Sequence, residues 1–176
     1  MDAHTAIGEA VVAAARRAIE LFVREGRRAI PDTLPDELPA RAGVFVTIRE
    51  HADGALRGCV GTVEPVEPTL GLEIVRSAIL AATEDPRFQA VEPAELANLD
   101  YGVSVLEAPE PITGPEQLDP AVFGVIVRSG RRHALLLPGI EGIFTTADQL
   151  AAVRRKAGIG ADAPIALERF RTRHFE

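Results

Sequence analysis

One cysteine among 176 residues leaves Cys59 with no partner in its own chain, which excludes an intrachain disulfide framework and a cysteine-rich zinc site. Tryptophan is absent, and tyrosine and methionine occur once each. Basic charge is short as well: 19 Lys and Arg stand against 26 Asp and Glu, for a formal net charge of −7. That balance gives no global positive field for nucleic acid or anionic lipid, and basic and aromatic residues are not interleaved as they are in nucleic-acid binders. No apolar run reaches the roughly 18 residues that span a bilayer, and no signal peptide is visible. The expected setting is cytoplasmic, with neither membrane nor nucleic acid as a partner.

Several chemistries are missing too. There is no Walker phosphate loop, dinucleotide glycine fingerprint, His-Glu-x-x-His or Gly-x-Ser-x-Gly elbow, and no His and acid cluster has metal spacing. No motif asks for a cofactor or a metal. Internal repeats, coiled-coil heptads and low-complexity tracts are also absent.

What is present reads as one domain over 1–176, with room for two lobes and enough apolar residues (47%) for a substantial core. Residues 6–25 carry Ile7, Val11, Ala15, Ala18 and Phe22 on one helical face, with Thr5 placed to cap the helix and Gly26 to end it. Arg16, Arg17, Arg24, Arg27 and Arg28 read as its solvated face and cationic C-terminus. Three prolines over 31–39 mark a surface crossing. Residues 43–49 and 56–62 read as strands joined by a hairpin at Asp53-Gly54. A helix over 69–84 turns Leu70, Ile74, Ala78 and Ala81 inward and stops before Pro86.

Further along, the pattern predicts a short helix over 93–98 and a strand over 99–106, with Tyr101, Val103 and Val105 on one face. Pro109, Pro111 and Pro115 mark a second crossing. A second hairpin joins 124–128 to 133–137. Thr146 and Gln149 form a capping box for a helix over 147–157 that ends at Gly158, and 165–174 alternates as a final strand. His133 and His174 are expected to be solvated, and Lys156 to answer a helix dipole. Hairpin-joined strands with helices between the hairpins give an α+β domain whose sheet is mainly antiparallel.

The stretch Leu56-Arg57-Gly58-Cys59-Val60-Gly61-Thr62 carries the chemistry. In an extended strand Arg57 and Cys59 project to one face, and Leu56, Val60 and Thr62 to the other. A guanidinium beside a thiol favours the thiolate, and glycine in a strand marks a bulge or a close backbone approach, so Gly58 and Gly61 join the candidate site. With a two-residue turn, Glu50 faces Arg57 and Ile48 faces Cys59. Two readings follow: Arg57 holds an anionic group beside a reactive Cys59, or Arg57 pairs with Glu50 while Cys59 is a small buried hydrophobe. Asp85 and Arg87 likewise form either a charge pair next to the anchor Phe88 or part of the Cys59 pocket.

Leu-Arg-Gly-Cys-Val-Gly-Thr is similar to the signature of the AMMECR1 domain family. The resemblance continues in order through Asp85-Pro86-Arg87-Phe88, Val103-Ser104-Val105-Leu106, Leu135-Leu136-Leu137-Pro138 and Lys156-Ala157-Gly158, over roughly residues 5 to 175. It implies an α+β fold in two intimately joined lobes. It also implies, for prokaryotic members of the AmmeMemoRadiSam type, a component of a modification system with Memo-like and radical-SAM partners. The chain departs from the family pattern at Gly102, where an acid is more usual. It departs again after Pro138-Gly139, where Ile140-Glu141-Gly142-Ile143-Phe144 replaces a segment with a tryptophan. Three functions stay open: an enzyme using Cys59 as nucleophile or redox thiol, a non-catalytic module binding a small anionic ligand or peptide, and a scaffold.

Overall fold

The computed structural model describes residues 3–31 and 33–176. Among these the chain forms three α-helices and eight strands in two four-stranded sheets. It divides into two compact units, one holding the chain up to Leu106 together with Arg173–Glu176, the other Glu107–Thr172.

The first unit begins with α1 (Ala3–Glu25), which runs through Thr5, so Thr5 is not its cap. Gly26 ends it as expected: its φ of +68° is left-handed, and its N–H donates to the Phe22 carbonyl at 2.8 Å. The Pro-rich crossing follows without regular structure, although position 32 within it lies outside the described residues. β1 (Val44–Glu50) and β2 (Leu56–Thr62) form the first hairpin, α2 (Leu70–Thr83) packs on both, and β3 (Leu99–Leu106) pairs with β1. The expected helix before β3 shrinks to one 3-10 turn, Leu96–Asn98.

Alternation decides which side of this sheet meets the helices. Val44, Val46, Ile48, Tyr101, Val103 and Val105 are buried and form one core with α1 and α2, including Val11, Ala15, Ala18, Ile74 and Ala78. The register places Phe45, Thr47, Cys59, Gly61, Gly102 and Ser104 on the opposite face.

In the second unit the proline crossing contains a short strand, β4 (Glu110–Ile112), with Pro111 on the edge of its sheet, where a missing N–H breaks no ladder. β5 (Gly124–Ser129) and β6 (Arg132–Leu136) turn at Gly130, whose φ is +58°. α3 (Thr146–Ala157) starts one residue earlier than expected, and its capping box is Thr145 with Asp148 rather than Thr146 with Gln149. Gly158 closes it at φ +65°. Lys156 reaches the Leu135 carbonyl at 3.1 Å. Val125, Val127, Val153 and Leu167 form the core of this unit.

The final predicted strand is two. β7 (Ala166–Phe170) lies between β4 and β5, whereas β8 (Thr172–Phe175) joins the first sheet beside β3. The sheets are ordered β2-β1-β3-β8 and β4-β7-β5-β6, and β1 with β2 and β3, β7 with β4 and β5, and β5 with β6 pair antiparallel. Among the described residues no helix is long and apolar enough to cross a membrane.

Candidate functional site

The hairpin turn is built by Gly54, at φ +72°, and by Asp53, whose carboxylate accepts from the Ala55 N–H at 2.9 Å. A two-residue turn would set Ile48 against Cys59. Instead the register slips between Ile48 and Arg49: Ile48 faces Gly58, Arg49 faces Leu56, and Arg57 is the unopposed residue of a bulge. A Cβ at position 58 would fall 2.3 Å from the Ala81 carbonyl oxygen of α2, so only glycine fits opposite Ile48. Cys59 is thereby turned to the face away from the helices, opposite Thr47, with its half-buried Sγ 3.4 Å from Thr47 Oγ1.

Helix α2 delivers the next group. At its end Asp85 is buried and accepts from the Cys59 N–H at 2.8 Å and the Arg87 N–H at 3.0 Å. Arg87 binds it through Nε at 3.0 Å and Nη2 at 2.7 Å, and Nη2 also reaches the Cys59 carbonyl at 3.4 Å. These hydrogen bonds, led by the Arg87 side chain, outweigh burial and hold the Asp85 carboxyl well below the usual carboxylate range. Cys59 is therefore fixed through both polar groups of its main chain.

Arg57 is held by a residue that the sequence had not singled out. Its Nε and Nη2 form a fork onto Glu95, at 2.8 and 3.1 Å, and Nη1 donates to the Gln89 carbonyl at 3.0 Å. Glu50 is a looser neighbour, 3.9 Å from Nε. The Arg57 hydrogen bonds keep the Glu95 carboxyl below its ordinary value. Phe88 lies beneath both arginines, with its ring centre 5.9 Å from Arg57 Cζ and 5.5 Å from Arg87 Cζ. Arg57→Lys keeps the charge but not the fork. The Arg57 side chain is only 13% exposed, so the change is expected to cost about 1.5–3 kcal/mol of stability in chemical denaturation. An unchanged midpoint would show that the Glu95 fork adds nothing.

Arg57, Gly58, Cys59, Asp85 and Arg87 thus fall in one cluster, with Gly61 two residues further along β2. The space beside Gly61 is filled from within, since a Cβ there would lie 2.6 Å from Phe45 Cγ and 2.0 Å from the Val44 carbonyl oxygen. Sequence reasoning missed Glu95, whose only signal was an acid in the loop before β3, and it missed Glu73. Glu73 is wholly buried in the first turn of α2 and accepts from Thr62 Oγ1, the Val66 N–H and the Glu67 N–H, each at 2.7 Å. It pins the loop that leaves β2. Its only signal was an acid beside Ile74 on an otherwise apolar face. His174 is exposed, as expected, and its Nδ1 meets Ser104 Oγ at 2.9 Å and its Nε2 meets Glu176 at 2.8 Å. His133 is exposed, as expected. Among the described residues no group of three or more His, Cys, Asp or Glu is placed to hold a metal ion.

The sequence profile of the AMMECR1 family matches residues 12–175. A protein of Thermotoga maritima is 50% identical over 145 residues, 81% of this chain and 83% of that one. A Clostridium acetobutylicum protein is 41% identical over 92% of this chain, which spans only 35% of that protein's length. The crystal structure of an uncharacterized protein from Pyrococcus horikoshii matches 97% of this chain and 91% of its own at 34% identity, with a TM-score of 0.86. The fold, the ordered motifs and these matches together show that the chain belongs to the AMMECR1 family.

Proposed function

We propose that this protein is a component of a modification system in which it meets Memo-like and radical-SAM partners, and that Cys59 is the reactive group of its site. The observation that carries this reading is the placement of Cys59. Its main chain is fixed by Asp85 and Arg87, and its half-buried thiol projects from the sheet face opposite the helices, against a hydroxyl. A thiol locked in this way is presented to whatever crosses that face. The Clostridium relative, of which this chain spans 35%, supports a domain that works alongside further modules.

The partner chemistry is an anionic ligand or peptide. Arg57 has its donors turned to Glu95 and Gln89, so an anion would have to displace Glu95 to reach its fork. Arg87 is better placed, because its side chain is 55% exposed and its Nη1 makes no hydrogen bond among the described residues. Gly58 acts through shape by letting α2 close behind the thiol, and Gly61 by letting Phe45 pack against β2. A second reading, a non-catalytic binding module, is favoured by one feature: the hydrogen-bond partner of the Cys59 sulfur is the Thr47 hydroxyl, which is no general base.

Alkylation separates the two. Under the thiol reading, iodoacetamide modifies Cys59 in the folded protein at neutral pH, and peptide mapping finds the adduct there. Modification only after denaturation would remove the thiol role and leave the binding module.

A further inference from the structure

A cavity of about 300 Å³ lies within the first unit, lined by Arg16 of α1, Arg49 of β1, Tyr101 of β3 and Glu176 after β8. Its volume is at the small end of the range for ligand pockets. Thr47 also lines it, and the same side chain touches the Cys59 sulfur, so the cavity adjoins the thiol without containing it.

The charges on its wall are unevenly answered. Asp100 accepts from His51 Nδ1 at 2.9 Å, and Glu176 accepts from His174 Nε2 at 2.8 Å, so both acids already have hydrogen-bond partners. Arg49 meets only a neutral acceptor, the Gly54 carbonyl at 3.0 Å. Arg16 rests over the Tyr101 ring, 5.5 Å from its centre, and forms no ion pair among the described residues. Neither arginine on the wall has a carboxylate partner among the described residues. A second observation comes from Tyr101 itself. The residue is only 4% exposed, and its phenol oxygen is buried with no hydrogen-bond partner among the described residues. Burial pushes this phenol up to about 12, so it remains a neutral O–H in search of an acceptor.

We propose that this cavity binds a small organic anion, a carboxylate or a phosphate monoester, whose charged group pairs with Arg16 and Arg49 and accepts a hydrogen bond from Tyr101. Arginine forks match both oxyanions, and such a ligand would relieve the stranded phenol at the same time. The inference rests on the ligand-binding reading above and not on the reactivity of Cys59.

The test uses the full chain with phenyl phosphate, benzoate and neutral benzyl alcohol as probes, followed by calorimetric titration. Saturable binding is expected for at least one anion and not for the alcohol, and the tighter of the two anions identifies the headgroup. Arg16→Met with Arg49→Met should weaken that binding by roughly tenfold or more, the scale of a lost charged contact. Tyr101→Phe should weaken it too, yet leave the ligand-free protein no less stable in denaturation, because it removes a group that has no partner. Alkylation of Cys59 is scored separately by peptide mapping, so that failure here and failure of the thiol reading are told apart. No saturation by either anion, or undiminished binding in the double arginine variant, overturns the proposal.

Discussion

Asp85→Ala is expected to destabilise the protein by about 3–5 kcal/mol, the cost of removing one partner from a buried, hydrogen-bonded ion pair. The value should fall toward the lower end, because Arg87 is 55% exposed and regains water when its partner is lost. What cannot be regained is the acceptor of the Cys59 N–H, so the variant leaves a polar group of β2 unpaired. The same carboxyl gives a pH signature. Its folded value is depressed by the Arg87 hydrogen bonds, so its contribution is present above the unfolded value of about 3.9 and is lost as pH falls through the folded one. Urea denaturation of the parent and Asp85→Asn should therefore show a stability gap that is steady above about pH 5 and narrows as acid is added. A gap that does not change between neutral and acid pH would mean that the pair with Arg87 is not what holds this carboxylate.

Glu73→Ala should cost a similar amount, about 3–5 kcal/mol, by a different route. Glu73 is 0% exposed and answers one hydroxyl and two main-chain N–H groups, so its loss strands three donors. It also leaves Arg76, whose Nη1 lies 3.7 Å from the carboxylate, without its counter-charge. Glu73→Gln is the informative control. One amide oxygen can still accept from Val66 and Glu67, while the amide nitrogen donates to the Thr62 hydroxyl, which rotates to accept. Most of the stability should therefore survive in Gln and not in Ala. If the two variants were equally unstable, the ionic pairing with Arg76 rather than the hydrogen-bond set would be the dominant contribution.

Both groups bear on how much of this protein could be read without coordinates. The strand at 99–106 and the inner faces of the first two helices followed from periodicity, because burial repeats with the geometry of each element. The Cys59 register did not. It turns on a one-residue bulge at Arg57, next to a glycine packed against Ala81, a contact between segments far apart in sequence. Arg57 and Cys59 were recognisable as a pair, but the partner of Arg57 is Glu95, 38 residues away, and composition offers no means of choosing it over Glu50. The final strand shows the same limit. Alternation over 165–174 is real, yet nothing local says that the chain changes sheet at Arg171. The capping box was displaced by one residue because Thr145 and Thr146 are chemically equal candidates, and Thr146 instead donates to the Leu118 carbonyl at 3.3 Å.

Strand β2 is the outermost strand of its sheet, and an outermost strand exposes a row of donors and acceptors to any extended chain that drifts past. At Cys59 that row is already occupied. The Asp85 carboxylate supplies the acceptor and the Arg87 guanidinium the donor that an added strand would otherwise bring. The two side chains thus act as a stopper that copies the polar face of a neighbouring strand, and their charges discourage an apolar intruder from displacing them. Self-association by strand addition is blocked at the point where the thiol sits. Whatever comes to Cys59 must arrive across the flat of the sheet, over Thr47, and not by docking along its margin.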